Sequence, residues 1–501
     1  MEGHDQIGYL YASQRLVEVR RPSYHDDNNQ LAGPYFSPYA FQVRRPGDPD
    51  FYLGFSIGFP LLLALAQSLF KTPHVAFYVA PFFGILGIFA TFVLGALLFN
   101  FQVGIVAAML LAATPTYVFF STDAWSGVPS LTFILWGLVL YLYAQRYRGR
   151  LRFGVSLLGG LLLGYACFIR YSAMTIWLPI LAYALYARRW KAFKDPADCG
   201  LFVALTLTAT TILLYNRYYY GGFLTTAYSP QHGWYPWPAF DWRYALGSSP
   251  VGGRSLVEGA KTILRNYQVL LLWGAIGLLA MPRPQAILIT GISLVILTFY
   301  GFYAFAPTGI NARFLLPILP MVSLVISHGI VYLFQRKVAT GLLAVICVSL
   351  ILALIIYPAY QTLIEVRQRN KTAESLVQYV QEFVNGTEGN AVFLSYAYND
   401  LIIFHGQRSA LNYRRIPTAD PRLGRYRVEE LEPGLVEAID VLLLHDIPVY
   451  YVKDLSPSFW NSLEILRSNY ELTLYREEPE IYRIRLRDKD ATLRLPRAKP
   501  V

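Results

Sequence analysis

The chain has 501 residues, of which 55% are hydrophobic and only 15% charged, and its mean hydropathy is +0.36. Soluble domains carry about 25% charged residues, so the composition excludes an ordinary cytosolic enzyme; high apolar content without a fixed period also excludes a disordered chain or a fibrous repeat. The net charge of +11 is unevenly held: residues 1–358 carry 24 Lys+Arg against 12 Asp+Glu and residues 359–501 carry 19 against 20, so lipid is the expected solvent of the first part and water of the last.

Residues 1–51 are polar. Within them Gly3-His4-Asp5-Gln6-Ile7-Gly8-Tyr9-Leu10-Tyr11-Ala12 predicts a helix continuing to Val19, with Asp5 near its N-terminus. The sequence opens directly in this segment with neither a signal peptide nor a preceding helix, as expected of an outward-inserted N-terminus, a missing first helix or a misplaced start. The apolar run Tyr52–Phe70 is interrupted by Gly54, Gly58 and Pro60. Ten further runs long enough to span follow near 76–99, 102–120, 127–146, 152–168, 171–188, 199–215, 266–281, 285–304, 314–334 and 338–357.

Charge orients these runs. If Tyr52–Phe70 stays outside as a juxtamembrane or re-entrant helix, eleven basic residues fall in inner loops: Arg146, Arg148, Arg150, Arg152, Arg188, Arg189, Lys191, Lys194, Arg283, Arg336 and Lys337. If it crosses, every one of them faces outward, against the positive-inside rule. The first reading puts residues 1–51, the loop 121–126, the long loop 216–265, the loop 306–313 and the C-terminal region on the outer side. The basic balance then serves orientation, and no nucleic-acid partner is expected.

The C-terminal region reads as a small α/β domain, with a helix over Thr372–Val384, strands at Ala391–Tyr396, Val449–Val452, Glu471–Tyr475 and Ile481–Leu486, and helices near 429–444 and 456–468. Its bland role is stabilisation or acceptor binding. Cys167, Cys199 and Cys347 all lie in or beside apolar runs and suggest neither a disulfide framework nor a zinc site. The expected fold class is mainly α: a polytopic membrane helix bundle of about ten spanning helices plus an outer juxtamembrane helix, followed by a small soluble α/β domain. The expected boundaries are 1–75 for the first loop and juxtamembrane helices, 76–358 for the membrane domain and 359–501 for the extracytoplasmic domain.

Acids are scarce on the outer side of the membrane part. Asp5 is a candidate general base held at the membrane surface, with Tyr9 one turn away; the alternative is a helix-capping role. Asp123, in the turn Ser121-Thr122-Asp123-Ala124-Trp125-Ser126, is either a functional acid at the bilayer edge or an N-cap for the helix beginning near Val128. The two acids are candidates to converge on one metal ion or one acceptor hydroxyl. Arg170 and Arg313 break the positive-inside trend at outer helix ends, where a guanidinium suits a lipid-linked phosphate or, alternatively, ordinary headgroups. In the long loop, Tyr228, His232 and Trp234 are candidate substrate contacts, although aromatics there also fit an interfacial belt. His25-Asp26-Asp27 has metal-ligand residue types without a recognised ligand spacing and reads as a solvated turn.

Taken together, Asp5 with Tyr9 and Ala12, the helix Gly58-Phe59-Pro60-Leu61-Leu62-Leu63-Ala64-Leu65, Arg170-Tyr171, the Asn216–Tyr228 segment and Arg313-Phe314-Leu315-Leu316-Pro317 resemble the GT-C superfamily of polytopic glycosyltransferases, which includes protein O-mannosyltransferases and lipid A aminoarabinose transferases. The resemblance runs in order over about residues 3–330. It implies a cell-membrane enzyme, hexosyl- or pentosyltransferase in type, moving a sugar from a polyprenyl-phosphate donor to a protein, lipid or glycan acceptor on the outer face with inversion. Asp5 matches the first-loop catalytic acid, and Arg313 and Arg170 match groups that receive the leaving phosphate. A divalent metal, Mg or Mn, at Asp5 and Asp123 is also implied. Two departures stand out: the family's helix before the first-loop acid is missing, and Asp123 lies four residues earlier than the second-loop acid of the pattern. A lipid-linked sugar flippase or a non-catalytic envelope scaffold are the alternatives. A flippase calls for ionisable residues at helix centres and for internal repeats, and these spans hold almost none.

Overall fold

The computed structural model describes residues 4–44, 48–229, 239–247, 249, 253–336, 353, 356–395, 398–411, 418–420, 425–427, 433–453 and 462–487. The N-terminal segment folds as α1 (His4–Val19), β1 (Ser23–Tyr24), α2 (Asn28–Ala32), β2 (Phe41–Arg44) and β3 (Phe51–Leu53). These three strands make an antiparallel sheet in the order β1-β3-β2.

The apolar runs then become helices: α3 (Gly58–Phe70), α4 (Ala76–Leu98), α5 (Phe101–Ala113), α6 (Pro115–Ser121), α7 (Gly127–Ala144), α8 (Arg150–Ile169), α9 (Trp177–Arg188), α10 (Pro196–Tyr220), α11 (Arg243–Leu246), α12 (Ser255–Tyr267), α13 (Leu271–Ala280), α14 (Arg283–Gly301) and α15 (Ile318–Gln335). Among the described residues, seven helical stretches are long and apolar enough to cross a membrane, so this is a multi-pass membrane protein. With 13 residues, α3 is only about 20 Å long, too short for a hydrocarbon core of about 30 Å.

Three expected spans differ in form: two are broken and one is longer. The 102–120 run bends by 68° between α5 and α6, because Pro115 holds Thr114 in an extended conformation (φ −70°, ψ 118°). The 171–188 run opens as a 3-10 turn, Tyr171–Ile176, before α9 begins. The 266–281 run is continued backward by α12, so Ser255–Ala280 forms one long helical stretch. Glu258, Lys261 and Arg265 on α12 hide it from a hydropathy reading. The expected span over 338–357 lies almost wholly outside the described residues.

Packing within the bundle is close. A Cβ on Gly277 of α13 would meet the Val325 carbonyl oxygen of α15 at 2.0 Å, and one on Gly329 would meet the Trp273 oxygen at 2.0 Å. Small residues let these backbones touch, as apolar helices in lipid require. The fully buried Asp198 of α10 accepts from the Tyr141 hydroxyl of α7 at 2.6 Å and pairs with Arg188 at the end of α9, while Arg152 of α8 pairs with Asp195, the N-cap of α10, at 2.8 Å. A buried carboxylate is tolerable only with such partners.

After the bundle come α16 (Tyr357–Asn385), β4 (Val392–Leu394), α17 (Asn399–Phe404), β5 (Ala410–Leu411), β6 (Thr418–Asp420), β7 (Arg425–Arg427), α18 (Pro433–Leu444), β8 (Val449–Val452), α19 (Ser462–Asn469), β9 (Glu471–Arg476) and β10 (Ile481–Arg485). The main sheet has the order β5-β4-β8-β10-β9, parallel across β5, β4 and β8 and antiparallel beyond. The helices and strands expected from the sequence are therefore present, and β4 and β8 are fully buried.

The chain divides into two compact units. One comprises Ser56–Thr225 and Trp237–Gln368; the other gathers the described residues of Met1–Phe55, Thr226–Pro236 and Arg369–Val501. The N-terminal segment thus folds with the C-terminal domain. Ala32 and Phe36 enter the same core as Val392, Leu394, Leu411, Ile439 and Tyr451, and Phe36 bridges Leu411 in an antiparallel pair. Truncating this fully buried ring, Phe36→Ala, is expected to destabilise the unit by about 3–5 kcal/mol. Hydrogen exchange of the β4 and β8 amides checks this; unchanged protection there contradicts it.

Candidate functional site

Two arginines come together in the membrane unit. Arg170 follows the last turn of α8, its N–H bonded to the Ala166 oxygen at 2.8 Å, and it starts the extended step into the 3-10 turn. Arg313 belongs to a second 3-10 turn, Gly309–Leu315, which leads into α15. Both line a single cleft of about 260 Å³, counting its space open to solvent, together with Gly127, Ser130, Ser172, Tyr300 and Phe314. The arrangement rests on aromatic faces. Arg313 stands 4.5 Å from the Trp125 ring centre and 5.4 Å from that of Phe314, and Arg170 stands 5.3 Å from Phe314. Tyr300 stacks on Phe314 at 4.6 Å, donates from its hydroxyl to Ser172 Oγ at 2.7 Å, and accepts a long hydrogen bond from Arg170 Nη2 at 3.4 Å. Gly127 keeps the rim open: a Cβ there would come within 2.6 Å of Leu316 Cδ1 and 3.5 Å of Arg170 Nη1.

This geometry can hold an anion. Two guanidiniums, permanently charged, share one aromatic floor among apolar helices, where the local dielectric is low and a phosphate or carboxylate is favoured between them. Cation–π contact helps to hold each group in place.

The other sequence candidates fall elsewhere. Asp123 is half-buried; its carboxylate accepts from the Ala124 N–H at 2.7 Å and its carbonyl from the Trp125 N–H at 2.7 Å, so it shapes the turn that presents Trp125 rather than capping α7. It is not among the residues lining the cleft. Asp5 lies in the first turn of α1, in the other unit, and Tyr9 on the same helix is buried with its ring 5.4 Å from Phe55. Tyr228 is exposed, its N–H bonded to Thr226 Oγ1 at 3.2 Å. His232 and Trp234 lie outside the described residues. Among the described residues no three His, Cys, Asp or Glu side chains gather into a metal-binding group.

No protein-family model and no curated protein matches the sequence. Solved structures do match. The aminoarabinose transferase ArnT from Cupriavidus metallidurans bound to undecaprenyl phosphate superposes with a TM-score of 0.61 at 13% identity, over 96% of this chain and 93% of its own. The archaeal oligosaccharyltransferase AglB from Archaeoglobus fulgidus, in complex with an inhibitory peptide and a dolichol-phosphate, gives 0.55 at 13% identity over 98% and 75%. The same protein in complex with Zn and sulfate gives 0.54 at 14% identity over 98% and 74%.

The chain has the GT-C fold. Sequence reasoning found Arg170 and Arg313 because they violate a charge rule, but it passed over the residues that hold them. Trp125 stood in a quoted loop with no signal beyond being aromatic. Tyr300 and Ser172 were legible only once α14 was known to pack against the turn after α8.

The His25 cluster is an ion-pair knot. His25 Nδ1 lies 2.7 Å from Asp50 and Nε2 3.2 Å from Asp27, while Asp26 instead accepts from Tyr24 and Asn28. The Asp50 hydrogen bond raises the His25 pKa above its usual value; slight burial opposes it and Asp27 assists. A raised folded-state pKa means that the pairs stabilise fully below the unfolded value of about 6.5 and that this contribution is lost as pH rises through the folded value. A pH titration of the His25 ring resonances is expected to have its midpoint above about 6.5; a midpoint at or below it contradicts the paired geometry.

Proposed function

We propose that this protein transfers a sugar from a polyprenyl-phosphate-linked donor to an acceptor hydroxyl on the extracytoplasmic face of the membrane, with inversion. The observation that carries the reading is the convergence of Arg170 and Arg313 on one cleft of the membrane unit. The GT-C fold supports it, since ArnT and AglB with that fold were solved with undecaprenyl phosphate and dolichol-phosphate. The basic residues that the sequence assigns to inner loops support an extracytoplasmic C-terminal domain.

In this mechanism the acceptor oxygen attacks the anomeric carbon while the bond from that carbon to the lipid phosphate breaks. The hydroxyl proton passes to the Asp5 carboxylate, and the bonding pair leaves with the phosphate, whose growing charge Arg313 and Arg170 stabilise. Tyr9, Tyr228, His232 and Trp234 are the proposed substrate contacts, with aromatic faces suited to sugar rings. The acceptor class is a protein, lipid or glycan, and the donor sugar a hexose or pentose. Asp5 and Asp123 are oxygen ligands of the kind Mg and Mn take, but two carboxylates fill a minority of six positions, so no step is routed through a metal.

Reconstituted protein with a synthetic polyprenyl-phosphate sugar tests the proposal. Asp5→Asn is expected to lower transfer by about 10²–10⁴-fold and Arg313→Ala by about 10²–10³-fold. Full activity in Asp5→Asn removes it as the base. Movement of the lipid-linked sugar between leaflets without a new glycosidic bond marks a flippase instead.

A further inference from the structure

We propose that the C-terminal domain positions the helix bearing Asp5, with Asp400 as the positioning residue. The inference rests on the reading of Asp5 as the base and assigns the C-terminal domain a part in that site. All the contacts that carry it lie within one compact unit.

The path from Asp400 to Asp5 is short and buried. Asp400 lies in the first turn of α17, the helix that follows the interior strand β4, and is only 2% exposed. Its Oδ1 accepts the backbone N–H of Tyr39 at 2.6 Å, a charge-assisted hydrogen bond that is strong and costly to leave unmade. The next residue, Ala40, is fully buried, and its carbonyl accepts from the Gly54 N–H at 2.6 Å, which locks it to the chain after β3. Ala40 then meets α1: a Cβ on Gly8 would stand 2.2 Å from the Ala40 Cβ, so only glycine allows this approach. Gly8 is three residues after Asp5, on the same face of the helix.

Two further contacts tie the same surfaces. Across the α1 and α17 packing, the Tyr11 ring stands edge-on to Phe404 at 5.8 Å and to Phe41 at 5.5 Å. Asn28 Nδ2 donates to Ser409 Oγ at 2.9 Å, beside the Phe36 to Leu411 bridge. A helix of 16 residues starting at His4 has little stability of its own in water, since most helical stability comes from tertiary packing. Here part of that packing comes from Phe404, at the far end of the sequence, beside Ala40 and Phe41 of the first loop. A displacement of about 1 Å at a catalytic group costs on the order of 10²-fold in rate, so the element that fixes α1 governs the acid's efficiency without touching substrate.

The test uses the full chain in lipid nanodiscs, with amide hydrogen exchange and transfer kinetics read side by side. Asp400→Ala is expected to speed exchange of the α1 amides at least about tenfold and to lower kcat by about 10–100-fold, with KM for the lipid donor within about twofold. Asp400→Asn, whose amide oxygen accepts the same N–H, restores both. Unchanged α1 exchange in Asp400→Ala, or a loss confined to KM, overturns the proposal. If Asp400→Ala also speeds exchange in β8 and β10, the sheet itself has loosened and Phe404→Ala is judged by the same criteria. A wild-type protein that transfers no sugar, while its α1 exchange still responds to Asp400→Ala, overturns the role of Asp5 as base and upholds the positioning.

Discussion

A guanidinium cannot shed its charge, and two of them in an apolar helix bundle must be held by something other than water. In this protein aromatic rings do that. Trp125 and Phe314 carry Arg313, Phe314 also carries Arg170, and Tyr300 covers Phe314 while linking Arg170 to Ser172. Each such contact is worth about 0.5–2 kcal/mol, rising with desolvation. The surrounding backbone serves this cluster: the Asp123 turn presents Trp125, Gly127 leaves space beside Arg170, and α7, the most deeply buried of the spanning helices, starts at that point. Two guanidiniums brought to one aromatic floor beside a shared cleft offer fork-shaped donors that suit an anion.

The second unit solves a different problem. A first loop of two helices, one of them five residues long, and three short strands has too little core to be stable alone. It is built into the C-terminal domain, where Ala32 and Phe36 complete a hydrophobic core and Asp400 ties down Tyr39. The C-terminal domain, which reads from sequence as a stabilising or acceptor-binding appendage, is the scaffold of the first loop.

Much of this was legible in the sequence wherever the signal was local. Long apolar runs gave α4, α7, α8 and α10, and short strand-like runs gave β8, β9 and β10. The arginines stood out because a charge rule made them exceptions. Non-local facts were not legible: Tyr39 and Asp400 are 361 positions apart, and no spacing rule pairs them. His25 illustrates the same limit, since its neighbours Asp26 and Asp27 drew attention while its shortest contact is to Asp50. The continuation of α12 into α13 was hidden for another reason: charges on the exposed stripe of α12 broke the hydropathy of a stretch whose two helices are joined by the 3-10 turn Gln268–Leu270.

As proposed, Arg170 and Arg313 form a seat for a lipid-linked phosphate. This is tested most directly by native mass spectrometry of the purified protein with undecaprenyl phosphate and with undecaprenol, which share a hydrocarbon chain and differ only in the phosphate. The account expects the phosphate to bind at least about tenfold more tightly, as charge-assisted bidentate hydrogen bonds require, with the preference lost in Arg170→Ala/Arg313→Ala. Equal retention of the two lipids by the wild-type protein contradicts it.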